Sequence, residues 1–373
     1  MSPKLLIMAD HLIPTAELHR WTADLWRAAG SSEKEAALTA DHLVGANLAG
    51  HDSHGVGMIP RYVNSLLAGE LQLNRTISVV SDGGTVLTVD AKHGMGSSVA
   101  HQAMELAIER AGQHGVCVIG LKNAHHIARV GHWAEQAMAS GFASVHFTNV
   151  LAPLPMVAPY GGAQARFLTN PLTVGIPRQG ADPILLDFAT SAIAYGKVRV
   201  AYNRKEKVPA GSLIDARGRP TDDPAAMFEP QEGRLGALLP FAAHKGYALA
   251  MVCELLGGAL IGAPTARPEN MKIRHAIWNN MLAIVFDPHR LGAGDAFERE
   301  ARSFIEWVTS APLSGVIEKI LMPGDPERRS RKQRTAAVPI DRETLAQLDE
   351  AATAIGRTKG GSPGPLSALE RHA

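Results

Sequence analysis

Three polar clusters interrupt apolar stretches of this 373-residue chain, and each carries side chains able to do chemistry. The first is His51-Asp52-Ser53-His54-Gly55, directly after a helical pattern. Histidine is the side chain whose ordinary pKa suits proton transfer near neutral pH. A histidine at a helix end also does a plainer job, stabilising the helix dipole, and the local sequence leaves both readings open. The second cluster is Asn123-Ala124-His125-His126-Ile127-Ala128-Arg129, which follows the apolar run at 116–121. Ends of buried strands are where α/β proteins place their sites. Histidines in two clusters also raise a metal site and, with it, a metal-dependent lyase. Adjacent histidines rarely share one ion, however, and neither H-E-x-x-H nor a cysteine pair is present.

The third cluster joins Thr169-Asn170-Pro171, Asp187-Phe188-Ala189-Thr190-Ser191 and His244-Lys245-Gly246-Tyr247. Thr190 and Ser191 fit helix capping or donation to a phosphate. Lys245 opens an apolar helix, where a cation is either simply exposed or matched by an anion such as a cofactor phosphate. A Rossmann dinucleotide site is not expected. Its nearest match, Gly94-Met95-Gly96-Ser97-Ser98-Val99, lacks the third glycine, and the next strand ends in Leu121-Lys122-Asn123 with no acid for a ribose. A P-loop pattern is absent.

Helices and strands must carry these clusters. Ser32 with Glu35 forms a capping-box pattern ahead of a helix that stops at Gly50. A further helix is expected over 60–68. Strand texture covers 85–90, 116–121, 143–147, 172–176, 183–188 and 281–286, with helices over 97–113, 131–140 and 246–260. Residues 196–235 read as long loops. The basic run at 327–334 reads as a solvated link into an amphipathic helix at 342–355. This alternation implies an α/β chain with a mixed sheet and a helical N-terminal portion. The expected division is a helical part, 1–75, packing with 300–357, an α/β cofactor-binding part, 76–299, and a disordered tail, 358–373.

Bulk properties narrow the function classes. With 37 basic and 36 acidic residues the formal charge is +1, so no field of one sign draws the chain to nucleic acid or to an anionic membrane. The longest apolar stretch, 247–263, is broken by Glu254 and glycines and falls short of a membrane span. Cys117 and Cys253 sit in apolar runs as reduced thiols are expected to, and no signal peptide is read at the start. A cytoplasmic location is the expectation.

Taken together, several stretches resemble the malate/L-lactate dehydrogenase family of the non-Rossmann type, which includes sulfolactate, ureidoglycolate and diketogulonate enzymes. Within it the chain resembles the branch called hydroxycarboxylate dehydrogenase B. The stretches are HDSHGVGMIPRYV (51–63), NAHHIARVGHWAEQ (123–136), VAPYGG (157–162) with TNPLTVGIPR (169–178), LDFATSAIAYGKVRVA (186–201), VPAGSLIDARGRPTDDP (208–224), HKGYALAMVCELLGGALIGA (244–263) and MPGD (322–325). The resemblance spans roughly residues 15–340. It implies a 2-oxo acid reductase using NAD or NADP, a homodimer, and a non-Rossmann cofactor-binding mixed sheet with helices on both faces. The same family also reduces cyclic imines such as Δ1-piperidine-2-carboxylate.

Residue by residue, the resemblance makes His54 the proton donor and acceptor, with Ser53 beside it, and His126 the second active-site histidine. Leu185, Leu186, Asp187, Phe188, Ala189, Thr190 and Ser191 match the adenosine and phosphate side of the cofactor. Lys245 matches a lysine near the phosphates, and Met322, Pro323, Gly324 and Asp325 match a further cofactor contact. Ala128, Arg129, Val130 and Asn279 match nicotinamide or ribose contacts. Tyr62 and Asn170 fall on the substrate side. One departure matters: many members carry an arginine for the substrate carboxylate where this chain has Met58. A carboxylate needs a charge-assisted partner, so Arg129 or Arg61 is expected to replace it, with Met58 forming an apolar wall. Basic residues at Arg199, Arg204, Lys205 and Lys207 suit either a 2′-phosphate or a solvated loop.

Overall fold

The computed structural model describes residues 11–315 and 317–369. The chain opens with β1 (His11–Pro14), α1 (Thr15–Ala29), α2 (Glu33–Leu48) and α3 (Ile59–Leu67). There follow β2 (Ser78–Asp82), β3 (Val86–Asp90), α4 (Gly96–His114), β4 (Val116–His125), α5 (Gly131–Ala139), β5 (Ala143–Leu151), β6 (Leu172–Ile176) and β7 (Ile184–Phe188). Next come α6 (Tyr195–Arg204), β8 (Leu213–Ile214), β9 (Pro220–Thr221), β10 (Ala237–Leu238), α7 (His244–Gly257) and β11 (Trp278–Phe286). The chain closes with α8 (Asp295–Thr309), α9 (Asp325–Arg334), β12 (Ala337–Ile340) and α10 (Arg342–Lys359).

The main sheet has seven strands in the order β2-β3-β4-β11-β5-β6-β7. Only β3 and β4 run parallel, joined through α4; every other neighbouring pair in this sheet is antiparallel. A doubly wound nucleotide fold needs parallel strands with a helix after each, so the sheet is of the mixed, non-Rossmann kind. The alanines Ala100, Ala103, Ala107 and Ala111 are fully buried, and their small side chains let α4 lie close to the strands. Helix α5 completes that layer, while α7 packs on β5 and β11.

A second core joins the two ends of the chain. Leu18, Leu25 and Trp26 of α1, Leu43 of α2 and Ile59 of α3 meet Leu348 and Ile355 of α10, and β1 pairs with β12. Burying each such side chain stabilises by roughly 1.5–3 kcal/mol. Ser32 caps α2, its hydroxyl accepting from the Glu35 amide at 3.3 Å. The reciprocal half of the box is absent: Glu35 instead accepts from the Asn74 amide at 2.9 Å and from Ser31, which ties α2 to the chain before β2.

Three expectations are corrected. Residues 196–235 are not only loops: they hold most of α6 and two strands of the small sheet β10-β8-β9, built on Val198, Leu213, Met227 and Leu238. The basic run at 327–334 is not a link but most of α9. Three of its four arginines are paired, Arg328 with Asp325 at 2.6 Å, Arg331 with Glu135 at 2.9 Å and Arg334 with Asp52 at 2.6 Å. From 358 the chain is held as far as it is described, because Leu366 is fully buried and Gly364 accepts from the Trp21 indole at 2.9 Å. The rest of that tail, 370–373, lies outside the described residues. Among the described residues no helix is long and apolar enough to cross a membrane.

Candidate active site

His54 ends a short turn, Asp52–His54, between α2 and α3. Asn47, on the last turn of α2, grips that turn from both sides: its amide donates to Asp52 at 2.7 Å and its carbonyl accepts from the Val56 amide at 2.8 Å. Gly55 is required there because a Cβ would overlap the Asn47 side chain. His126 leaves the end of β4, where Gly96 at the start of α4 lets the helix approach; a Cβ on Gly96 would overlap the His125 and His126 carbonyls. The second glycine of the near-miss cofactor motif therefore serves the histidine loop.

The two loops bring the imidazoles of His54 and His126 face to face, ring centres 5.7 Å apart. Ser53 Oγ lies 3.1 Å from His54 Nδ1, and Tyr62 Oη lies 2.6 Å from His126 Nδ1. Burial, together with the neighbouring His51, pulls the His54 imidazole down to about 4, with Asp187 acting in the opposite sense. Burial also holds His126 well below its ordinary value, and drives the Tyr62 phenol above its own. Both imidazoles are thus neutral at pH 7 and able to accept a proton. His125, fully buried beside Tyr62, is held neutral too, at about 3.

The two arginines proposed for a carboxylate separate clearly. Arg129 is 3% exposed, ion-paired with Glu135 and 3.7 Å from Asp187. Asp187 in turn accepts from the Gly131 amide and from Thr173, both at 2.9 Å. Arg129 is therefore already matched by two carboxylates. Among the described residues Arg61 donates to the His275 carbonyl alone, at 2.8 Å. It lies close enough to His126 and His125 to lower both, and its own electrostatic neighbours include Tyr62, Tyr195 and Arg199. Helix α6, unseen in the sequence, closes this side, with Gly196 against Ser53. Met58 packs partly buried against the N-terminal core.

The expected cofactor segments come together in part. Leu185 donates to the Pro323 carbonyl at 3.3 Å, which places 322–325 against β7, with Gly324 capping α9 in a left-handed conformation, φ 96°. Leu186 is exposed, and Phe188 meets Phe241 edge-on at 5.2 Å, close to Ala189 and the start of α7. Ala128 takes a left-handed φ of 51° and Val130 is buried, so the chain turns sharply around Arg129. Lys245 is exposed on the first turn of α7 and has no ion pair among the described residues.

Four of the residues expected to make contacts have hydrogen-bond partners inside the protein. Thr190 donates to the Thr169 and Asn170 carbonyls at 3.0 and 3.1 Å, and Ser191 to that of Ile193 at 2.9 Å, so both hydroxyls have acceptors within the fold. Asn170 is fully buried, accepting from Val150 and donating to Glu254 and Ala250, which leaves nothing for a substrate. The Asn279 side chain accepts from the Ile127 amide at 3.0 Å and donates to the Asn149 carbonyl, so it pins the histidine loop. Asn149, Asn280 and Glu254 were missed because nothing local marks a polar residue whose partner lies a hundred positions away; Asn47 was missed although its side-chain partners, Asp52 and Val56, are near in the chain. Among the described residues no group of three histidine, cysteine or acidic side chains is arranged to hold a metal.

Comparison with known proteins fits this geometry. Hydroxycarboxylate dehydrogenase B of Escherichia coli (strain K12) is 47% identical over 350 residues, 93% of this chain and 95% of that protein. The structure of sulfolactate dehydrogenase from Methanocaldococcus jannaschii is similar at a TM-score of 0.81, with 31% identity, covering 92% of this chain and 97% of that one. That of Δ1-piperideine-2-carboxylate reductase from Pseudomonas syringae pvar. tomato is similar at 0.78, also with 31% identity, covering 91% and 99%. Residues 13–349 match the family described as malate/L-lactate dehydrogenase. With this sheet, this histidine pair and a match along most of its length, the chain belongs to the malate/L-lactate dehydrogenase family.

Proposed function

We propose that the protein interconverts a 2-hydroxy acid and its 2-oxo acid with NAD or NADP. The observation that carries this reading is the facing pair His54 and His126, each held by a hydroxyl, with Arg61 beside them bound to a backbone carbonyl and to no carboxylate among the described residues. The residues present fit a dinucleotide. Among the described residues Lys245 is an unpaired cation at a helix start and the Nε and Nη1 of buried Arg129 lack hydrogen-bond partners, while segments 185–189 and 322–325 form adjoining walls. When bound, the nicotinamide supplies or takes the hydride at C2 of the acid.

The protein's own residues do the rest. Neutral His54 accepts the hydroxyl proton in oxidation and returns it to the carbonyl oxygen in reduction, with Ser53 orienting the ring through Nδ1. His126 orients the same oxygen, and Tyr62 fixes its tautomer by donating to Nδ1. Arg61 takes the substrate carboxylate, and Met58 sets the apolar wall for the side chain. The test is loss of absorbance of NADH and of NADPH, assayed separately, with pyruvate, oxaloacetate, 2-oxoglutarate, phenylpyruvate and the cyclic imine. Turnover of a 2-oxo acid supports the reading; turnover of the imine alone replaces it with the activity named for the Pseudomonas relative. Met58→Arg shifts preference toward the smaller acids; an unchanged ranking removes Met58 from specificity.

We further propose a homodimer in the cytoplasm. Free, buried Cys117 and Cys253 suit a reducing compartment. Helix α8 is amphipathic yet buries none of its residues, leaving Phe304 62% and Trp307 71% exposed. Apolar surface of that size is usually an interface, and a net charge of +1 sets no repulsion against a second copy. Trp307→Glu combined with Phe304→Glu is expected to convert the dimer to a monomer in sedimentation velocity. A wild-type monomer at micromolar concentration overturns the proposal.

A further inference from the structure

Glu254 is the one charged residue in the apolar stretch 247–263, and in the fold it is 6% exposed. Three N–H groups point at its carboxylate. Oε1 accepts from the Ala266 amide at 2.6 Å and from Asn149 Nδ2 at 3.3 Å; Oε2 accepts from Asn170 Nδ2 at 2.6 Å. From Asn149 the line continues toward the active site. Asn149 Oδ1 accepts from Asn280 Nδ2 at 2.8 Å, and Asn280 Oδ1 accepts from the backbone amide of Asn123 at 2.7 Å.

Asn123 sits where the β4–β11 register slips between Asn279 and Met281, and its φ is 57°. A bulge leaves a ladder amide without its partner and re-aims the residues that follow. Here the Asn280 side chain supplies the missing acceptor, and His126 lies three residues on. The other branch runs through Asn170, whose carbonyl accepts from Thr190 Oγ1 at 3.1 Å, just beyond Asp187. One carboxylate therefore ties down both flanks of the site.

We propose that Glu254 is a positioning residue: through Asn149 and Asn280 it holds the bulge that aims His126. The proposal rests on the reading of His54 and His126 as the reacting pair. It requires a carboxylate, because only a group with two accepting oxygens and no proton satisfies three donors. A glutamine of the same shape turns its NH2 either onto Ala266 and Asn149 or onto Asn170. Flipping Asn170 to receive it drives an NH2 into the Val150 amide, which now donates to Asn170 Oδ1. Glu254→Gln thus opposes donors at Asn149 or at Asn170 and breaks one of the two branches without changing volume.

The experiment compares wild type, Glu254→Gln, Asn280→Ala and the double variant by histidine-ring NMR and by steady-state kinetics. Each single variant is expected to shift the His126 ring resonances and leave those of His19, paired with Asp41 in the N-terminal helices, in place. Turnover falls about 10- to 100-fold, while KM for the 2-oxo acid stays within about threefold. The double variant falls no further than the worse single, because both cut the same line. Unmoved His126 resonances in a folded variant, or losses that multiply, overturn the proposal. The ring resonances need no substrate, so they decide the matter even if the 2-oxo acid assignment fails. Should Glu254→Gln not fold, Asn280→Ala carries the same resonance test.

Discussion

His54→Ala is expected to lower turnover of a 2-oxo acid by about 10²–10⁴-fold while leaving the dissociation constant for the reduced cofactor within about threefold. The loss is that of a positioned acid–base group. The unchanged cofactor affinity follows from the role given to His54, which exchanges a proton with the substrate, while segments 185–189 and 322–325 are the expected cofactor walls. The pH profile gives the sign independently. Burial and His51 pull the His54 imidazole down to about 4, so it is the neutral base at pH 7. Oxidation of the hydroxy acid uses that neutral form, so its kcat/KM is flat above about pH 6 and falls as pH drops through the pKa of the free enzyme. Reduction uses the imidazolium, so its kcat/KM falls about tenfold per pH unit as pH rises above that value. Initial rates of both directions across pH check this. Near-normal turnover in His54→Ala, or a reduction profile that rises with pH, excludes His54 as the proton carrier.

Arg61→Ala and Arg129→Ala are expected to fail in different ways. Arg61 keeps a single backbone partner and faces the histidines, so its loss removes a charge-assisted contact to the substrate carboxylate. Such contacts contribute about 1.5–3 kcal/mol, which is roughly a 10- to 100-fold rise in KM with kcat nearly kept. Arg129 is enclosed between Glu135 and Asp187. Removing one partner of a buried ion pair costs about 3–5 kcal/mol because it strands the other charge. Asp187 keeps the Gly131 amide and Thr173, and Glu135 keeps Arg331, which places the cost at the lower end of that range. Thermal melts should therefore separate them, Arg61→Ala melting with the wild type and Arg129→Ala well below it. If Arg129→Ala melts normally and raises KM, the carboxylate belongs to Arg129.

Much of the scaffold was legible along the chain because its signals are local. The periodicity of α2, α4 and α10, the strand runs and the Ser32 cap each involve residues within a few positions, and all stand where expected. Helix α6 was not legible, because YGKVRVAYNR is polar and buries only Val198; its helix is held by a core that residues 157–250 assemble together. Helix α9 read as a solvated link for the same reason: Arg331 and Arg334 are satisfied by Glu135 and Asp52, far away in sequence.

By itself the sequence determined the mixed α/β class without a Rossmann motif, carried the resemblance to the family, and singled out the two histidine clusters that the fold brings together. These rest on spacing, composition and motifs that need no partner from elsewhere. Only the tertiary structure decided which of those side chains are free to act. It set Arg61 beside the histidines and enclosed Arg129, and it turned Asn170, Thr190, Ser191 and Asn279 inward as hydrogen-bonded supports. The reason is physical. A buried polar group must find its partners wherever the fold places them, and Asn149 finds Glu254 at a separation of 105 residues while Asp52 finds Arg334 at 282.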